Sequence, residues 1–226
     1  MRVENKLYKN QGIHVISSIF TVENGVTKVL LVKRRNEPFK DYWALVGGAL
    51  YNNETIEEGI KREILEKSGI KDVKLYEYGV FDEINKTPSI NMRMIAVGYL
   101  GLIDANKQNI IRDNLNTKDS GWFEINKVPT LAFLHNEMLE KALEKLKDLI
   151  VLSDILKALL PNEFTMPELQ RLYEGILDKK FDRRNFRKKI LSLNILDDTN
   201  KEVSINGKKP SKLYRFKDKI EIKKVF

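Results

Sequence analysis

The spacing of hydrophobic residues divides the first part of the chain into strands grouped around few helices. Five apolar, β-branched runs predict strands, at residues 14–22, 27–34, 73–81, 92–103 and 120–124. The first two flank Asn24-Gly25, a dipeptide typical of hairpin turns. This arrangement favours an α+β sandwich over a doubly wound sheet.

Two amphipathic helices are predicted in the same region. Thr55 and Glu58 have the spacing of a capping box, and Gly69 is suited to a helix end. The buried stripe of this helix would consist of Ile56, Ile60 and Ile64. The second helix covers residues 136–149 with Asn136 as its cap. Its apolar side is expected to comprise Met138, Leu139, Ala142, Leu146 and Leu149.

The chain changes character near residues 151–160. This stretch, VLSDILKALL, predicts a connecting helix that ends before Pro161, since proline interrupts a helix. We therefore expect one domain over residues 1–150 and a second over residues 151–226.

The second domain has the outline of a helix-turn-helix with a wing. Thr165 and Glu168 have capping-box spacing, and Asp182 is placed to cap another helix after a tight turn. The strand-like runs KEVSI and SKLYRF then flank a basic hairpin tip at residues 206–210. Two short helices followed by such a hairpin are typical of DNA-binding modules.

The net charge of +8 lies mostly in the C-terminal third. A basic region of this kind suggests a polyanionic partner, while charge alone favours a solvated lysine-rich surface. Residues 161–226 contain 17 Lys and Arg against 10 Asp and Glu, a balance of +7, which leaves +1 for residues 1–160. The chain has no cysteine, which excludes disulfides and thiolate metal sites. No apolar run is long enough to cross a bilayer, and residues 1–10 lack a signal-peptide core. We expect a cytoplasmic protein without membrane contact.

The helix after Asp182 is the candidate DNA reader. Phe186, Ile190 and Leu193 would form its buried stripe, which leaves a basic and polar opposite face. Together with the wing, the expected DNA-binding residues are Arg183, Arg184, Asn185, Arg187, Lys188, Ser192, Lys208 and Lys209. Arg and Asn can read guanine and adenine edges, and lysines contact phosphates. The alternative is a small helical cap with a solvated basic face.

Residues 48–70 carry a long, spaced motif. They match the Nudix signature, G-x5-E-x7-R-E-apolar-x-E-E-x-G-apolar, except that Lys67 stands where the last glutamate belongs. The helical spacing of Glu63, Glu66 and position 67 places them on one edge. Three carboxylates there would hold Mg²⁺ against a diphosphate and activate water. An ammonium would repel that metal or pair with a neighbouring carboxylate, so we expect hydrolysis to be weak or lost.

The rest of the site is predicted around this motif. The residues expected to bind the ligand are Arg34, Arg35, Gly47, Gly48 and Arg62. Glu63 and Glu66 are the expected catalytic and metal-binding residues, and their catalytic role is expected to be vestigial because of Lys67. For the strand-end arginines, solvated charges are an equal alternative, and Arg62 can instead pair with Glu54 to brace the loop. His135 either touches ligand or is structural. Nudix proteins of the ADP-ribose group often carry Arg-Asp-Pro-Arg where this chain has Asn-Lys-Thr-Pro-Ser at residues 85–89.

Both halves together resemble the Nudix-related transcriptional regulators. The resemblance rests on EPFKDYWALVGGAL, GWFEINKVPTLAFLHNEMLEKAL and LPNEFTMPELQRLYEGILDKKFDRRNFRKKIL, and it covers almost the whole chain. It implies a Nudix α/β/α sandwich that senses ADP-ribose, a related nucleotide or a sugar without a required cofactor. It also implies a winged helix-turn-helix on an operator of NAD or sugar metabolism genes, and a homodimer.

Two other functions stay open. The first is an active Mg²⁺-dependent Nudix hydrolase of nucleoside diphosphate derivatives, of the ADP-ribose pyrophosphatase type, because Glu63 and Glu66 with the Gly47 carbonyl retain donors for one metal ion. The second is a protein-binding module, for which the sequence offers no positive feature.

Overall fold

The chain folds into two compact units. The computed structural model describes residues 11–83, 93–152, 155–204 and 210–218. Unit 1 consists of the described residues up to Phe20, Lys28–Gly101 and Asn106–Leu143. Unit 2 consists of Thr21–Thr27, Leu102–Ala105 and the described residues from Glu144 onward. The proposed boundary at residue 150 stays a prediction, since one helix is continuous through it.

One sheet forms the framework of the first part of the chain. Its strands are β1 Gln11–Glu23, β2 Val26–Arg34, β3 Trp43–Ala44, β4 Val46–Ala49, β5 Leu75–Glu83, β6 Arg93–Leu102 and β7 Thr117–Glu124. The order is β3-β2-β1-β6-β5, with β4 paired to β1 and β7 paired to β2. All five predicted strands are confirmed. The short β3 and β4 were not predicted, because β3 has only two residues and β4 has two glycines among its four residues.

Helix α1, Ile56–Ser68, begins and ends as its sequence predicts. The capping box of Thr55 and Glu58 is present, and Gly69 ends the helix in the left-handed conformation with φ of 75°. The buried side includes Ile60 and Ile64, but Ile56 is 38% exposed. Its expected burial is therefore wrong. Ile56 is the first helical residue, and burial in this helix begins with the next turn at Gly59.

Helix α2, His135–Leu152, differs from its prediction at both ends. The Asn136 side chain does not cap it, because the helix already begins at His135 and Asn136 Oδ1 accepts from the Leu131 amide at 2.8 Å. Met138, Leu139, Ala142 and Leu146 are buried as expected, while Leu149 is half-buried. The separate connecting helix over 151–160 is wrong, because α2 extends to Leu152 and only a short 3-10 turn, Ile155–Ala158, follows.

Unit 2 contains the expected winged helix-turn-helix. Helices α3, Met166–Leu177, and α4, Arg183–Ser192, are followed by strands β9, Leu196–Val203, and β10, Ser211–Phe216. A short β8, Phe164–Thr165, completes a three-stranded antiparallel sheet of order β8-β10-β9. Among the described helices, none is long and apolar enough to span a membrane.

The two helices of unit 2 are capped and packed as predicted. Thr165 and Glu168 form the capping box of α3, and Asp182 accepts from the backbone of Arg184 and Asn185 at the start of α4. Phe186 and Ile190 are buried and Leu193 is half-buried. The rings of Phe186 and Tyr173 meet edge to face with centroids 5.5 Å apart, which joins the two helices.

Asp182→Ala should destabilise unit 2 by about 1 kcal/mol, because the first amides of α4 lose their acceptor. Asp182→Asn, which retains a capping oxygen, should keep the stability of the parent. Amide hydrogen exchange at Arg184 and Asn185, together with urea unfolding, measures both. Equal exchange in the two variants would show that the cap does not hold this helix.

Candidate functional site

A cavity of about 390 Å³ lies within unit 1, beside the motif helix α1. Strands β1, β2 and β4, helix α1 and the start of α2 all contribute to its wall. Six of the seven residues predicted for ligand or catalysis line it, namely Arg34, Arg35, Gly47, Gly48, Glu63 and Glu66. Lys67 lines it too. The wall combines these charges with apolar and aromatic side chains, as small-molecule sites do.

The two motif glycines allow the backbone of β4 to approach its neighbours closely. Gly47 and Gly48 pair with Ile16 and Val15 of β1. A Cβ at Gly47 would lie 2.1 Å from the Val15 carbonyl oxygen, and one at Gly48 would lie 2.3 Å from Glu63 Oε1. A side chain at Gly47 would clash with the β1 backbone, whereas one at Gly48 would displace the Glu63 carboxylate. The Gly47 carbonyl and the Glu63 carboxylate are thus held at one end of the cavity.

Lys67 occupies the point where these groups meet. Its ammonium donates a short hydrogen bond to the Gly47 carbonyl oxygen. The same Nζ lies 2.9 Å from Glu63 Oε2, one turn earlier on α1. Glu63 Oε2 is buried and has no hydrogen bond of ordinary geometry, so its interaction with Lys67 is one of charge. The predicted pairing of Lys67 with a neighbouring carboxylate is present in the structure.

Arg62 braces the loop before α1 and does not line the cavity. Its guanidinium donates to both oxygens of Glu54, at 2.7 and 2.8 Å, and to Glu63 Oε1 at 2.8 Å. It also donates to the Ala49 carbonyl at 3.0 Å. Hydrogen bonding to Arg62 lowers the pKa of Glu54 to about 2. These contacts favour the alternative that Arg62 braces the loop, and its role in ligand binding stays a prediction.

Arg34 and Arg35 are half-buried at the end of β2. Arg34 Nε donates to the Pro38 carbonyl at 2.9 Å, and its guanidinium lies 4.8 Å from the centre of the Phe133 ring. Arg35 forms an ion pair with Asp113 and donates to the Thr117 carbonyl at 3.1 Å. These contacts fix both cations at the cavity wall, in contrast to freely solvated strand-end charges.

The pKa values of both cavity histidines are lowered from their ordinary value. His135 Nδ1 accepts from the Leu45 amide at 3.0 Å, which gives it a structural role and places its proton on Nε2. Burial, with the nearby charges of Arg34 and Lys67, lowers the pKa of His135 to about 3. Burial, then Lys67, also lowers the pKa of His14. Both histidines line the cavity, so the ligand-contact alternative for His135 stays a prediction.

The donor set does not fit the Mg²⁺ of Nudix hydrolases. The Gly47 carbonyl faces the Lys67 ammonium, and Glu63 is paired with Arg62 and Lys67. Glu66 Oε2 lies 3.4 Å from Arg62 Nη1. Within the described residues, no three Asp, Glu, His or Cys side chains are grouped to hold a metal ion. Cations of the chain thus lie against the oxygens that would bind a metal ion, which weighs against the Glu63–Glu66 metal site; that site stays a prediction.

Several cavity residues were not predicted from the sequence. They are His14, Tyr51, Phe81, Met94, Asn116, Thr117 and Phe133. Thr117 is 1% exposed, and its Oγ1 has no hydrogen-bond partner, so a ligand could satisfy it. Thr117 reaches the wall because β7 pairs with β2 in a register that places it beside Arg34. The local sequence gives no signal for these residues, because distant segments of the chain bring them together.

The predicted DNA-binding residues of α4 share the exposed side of that helix. Arg183, Arg184, Asn185, Arg187, Lys188 and Ser192 are all exposed, whereas Phe186 and Ile190 are buried. Arg187 Nη2 donates to the Tyr214 hydroxyl of β10 at 2.9 Å, so one cation of this face is tied to the wing strand. The wing residues Lys208 and Lys209, and the segment 85–89, lie outside the described residues.

Both units match known families. A NUDIX domain matches residues 12–145, and an NrtR DNA-binding winged helix domain matches residues 157–216. The ADPR responsive transcriptional repressor NtrR of Acinetobacter baylyi is 30% identical over 215 residues, which cover 92% of this chain and 83% of that protein. The ADP-ribose pyrophosphatase of Methanocaldococcus jannaschii is 33% identical over 135 residues, 60% of this chain and 75% of that protein.

Solved structures are similar to this chain. Shewanella oneidensis NrtR complexed with a 27mer DNA is 27% identical and covers 91% of this chain and 93% of its own, with a TM-score of 0.74. The NUDIX domain of that protein, complexed with ADP ribose, is 26% identical and covers 64% of this chain and 94% of its own, with a TM-score of 0.57.

The neutral, buried His135 should make the fold acid-sensitive. The unfolded chain binds a proton near the ordinary pKa of 6.5, whereas the folded site resists it down to about 3, so stability falls as pH falls through this interval. Between pH 7 and pH 5, protonation of this group in the unfolded chain should lower the free energy of unfolding by about 2 kcal/mol. Urea unfolding of the parent and of His135→Gln, which retains an acceptor for the Leu45 amide, measures the difference. If the free energy of unfolding depended on pH equally in both proteins, His135 would not be the source of the acid sensitivity.

Proposed function

This chain belongs to the Nudix-related transcriptional regulators, and we propose that it binds operator DNA through unit 2 and ADP-ribose through the cavity of unit 1. The proposal rests on the presence in one chain of a winged helix-turn-helix whose helix α4 has a basic exposed side, and of a Nudix cavity in which Lys67 contacts the Gly47 carbonyl. Such a cavity can recognise a nucleotide and leave it intact.

The exposed side of α4 supports the DNA interface. Its arginines and asparagine are the side chains that read guanine and adenine edges in the major groove, and its lysines and serine suit phosphates. The Shewanella relative was solved with DNA bound, at 27% identity over nearly the whole chain. A basic module of this kind gains affinity from counterion release, which makes its binding salt-dependent.

The cavity chemistry supports a nucleotide effector. Arg34, Arg35 and Lys67 supply positive charge for a diphosphate, and Phe133 offers a ring for stacking on a base. Glu63 Oε2 and Thr117 Oγ1 are buried without hydrogen bonds and could be satisfied by ribose hydroxyls. The related repressor is named for its response to ADPR, and the Shewanella NUDIX domain was solved with ADP ribose.

The competing function is a Mg²⁺-dependent ADP-ribose pyrophosphatase. The 33% identity to such an enzyme in the first domain favours it. The site weighs against it, because Lys67 neutralises Glu63 and engages the Gly47 carbonyl. Any residual activity would be weak, and Mg²⁺ would be needed only for that activity.

The remaining expectations follow from the proposed role. A regulator acts where DNA is, in the cytoplasm, and a homodimer would place two readers on the half-sites of a palindromic operator. Since ADP-ribose is a product of NAD breakdown, genes of NAD metabolism are the proposed targets.

Arg184→Ala should weaken binding to the operator about tenfold and reduce the slope of log affinity against log salt by about 1, because one contact to DNA is lost. Lys147→Ala removes the same charge from an exposed position on α2 and should leave affinity within about twofold. Fluorescence anisotropy with DNA from upstream of the chain's own gene measures both. If both variants lost the same operator affinity, α4 would not be the helix that contacts the DNA.

Saturating ADP-ribose should change operator affinity by a factor of about 5 to 150, in either direction, since coupling between sites typically has this size. The anisotropy titration is repeated with ADP-ribose, with AMP as the matched control, and with random DNA of equal length. Unchanged operator affinity, while calorimetry shows ADP-ribose bound, would contradict the proposed coupling.

A further inference from the structure

The Lys67 ammonium lies against two oxygen atoms of the protein, as a bound metal cation would. Its Nζ contacts the Gly47 carbonyl oxygen and lies 2.9 Å from Glu63 Oε2. A backbone carbonyl and a carboxylate are the oxygen donors that a hard divalent cation takes. The ammonium therefore lies at the point where those two donors converge.

The charges around this point are already balanced by residues of the chain. Glu54, Glu63 and Glu66 contribute three negative charges, and Arg62 and Lys67 contribute two positive ones, which leaves a net charge of −1. With glutamate at position 67 the same group would carry −3, which would attract a divalent ion strongly. With lysine, a divalent ion gains little charge compensation and meets a direct repulsion.

The ammonium is also accessible to a ligand. The Lys67 side chain is 18% exposed and lines the cavity beside Gly48 and His14. An ammonium has three N–H donors, of which one is directed to the Gly47 carbonyl. Because Glu63 Oε2 interacts with Lys67 by charge alone, another N–H of the ammonium can serve a phosphate oxygen. Unlike a metal ion, it carries no bound water whose pKa it could lower, so it offers charge without a nucleophile.

We propose that Lys67 is a built-in replacement for the divalent cation, which makes binding of a diphosphate ligand in this cavity independent of metal. The identity of that ligand rests on the proposed function, but the exclusion of metal does not. A single residue would thus both supply positive charge to the effector and prevent its cleavage.

The first test measures the metal alone. MnCl₂ is titrated into the full-length protein and followed by electron paramagnetic resonance, for the parent, Lys67→Glu and Lys61→Glu. Lys61 is an exposed residue of the same helix, so its variant makes the same charge change away from the cavity. Lys67→Glu should bind Mn²⁺ about 100-fold more tightly than the parent, and Lys61→Glu should resemble the parent. Tight Mn²⁺ binding by the parent that is lost in Glu63→Gln would overturn the proposal.

The second test measures the ligand, by calorimetry of ADP-ribose in EDTA and in excess Mg²⁺. Affinity of the parent should agree within about twofold between the two conditions, because no metal takes part. Lys67→Met, which retains the apolar stem, should bind about tenfold more weakly in both. Lys67→Glu should bind only with Mg²⁺. Thermal unfolding confirms that each variant is folded.

The two tests separate the two claims. If the parent binds no ADP-ribose under either condition while the Mn²⁺ results are as expected, the exclusion of metal by Lys67 stands, and the effector of the proposed function is wrong. If the parent requires Mg²⁺ for ADP-ribose, or if Lys67→Met binds as the parent does, the replacement of the cation by Lys67 is wrong.

Discussion

The ion pair and hydrogen bond of Lys67 with Glu63 and the Gly47 carbonyl determine what the first domain can do. The Nudix framework that surrounds them is intact, since the capping box of α1, the Gly69 helix end and the Arg62–Glu54 brace are all formed. The scaffold therefore still presents a carbonyl and a carboxylate to one point. In the proposed account, an ammonium at that point attracts phosphate without activating water.

The local elements were predictable because their signals are local. Capping boxes at Thr55 and Thr165, the cap at Asp182 and the long apolar strands depend on neighbouring residues, and all were confirmed. The departure at Lys67 was also readable, because the motif specifies its spacing. The predictions were wrong where an apolar helical pattern runs past the end of the helix that buries it. Ile56 is exposed although it continues the stripe, and the separate helix expected after Leu152 is a short 3-10 turn.

The cavity wall was only partly predictable, because strand pairing between distant segments assembles it. Thr117 reaches it through the register of β7 on β2, and no feature near Thr117 signals this. The sequence left two roles open for Arg62, because its acceptors, Glu54 and the Ala49 carbonyl, come together only in the folded loop. The sequence shows which charged residues could bind a ligand, whereas the contacts in the folded chain decide which of them face the cavity.

The central claim is that the cavity senses a nucleotide without consuming it, and the fate of the ligand tests it most directly. ADP-ribose is incubated with the operator-bound protein and Mg²⁺, and the diphosphate resonances are followed by ³¹P NMR over many hours. The account predicts that the diphosphate signal persists undiminished while the ligand is bound. Steady growth of phosphomonoester signals, abolished by Glu63→Gln, would show an enzyme and contradict it.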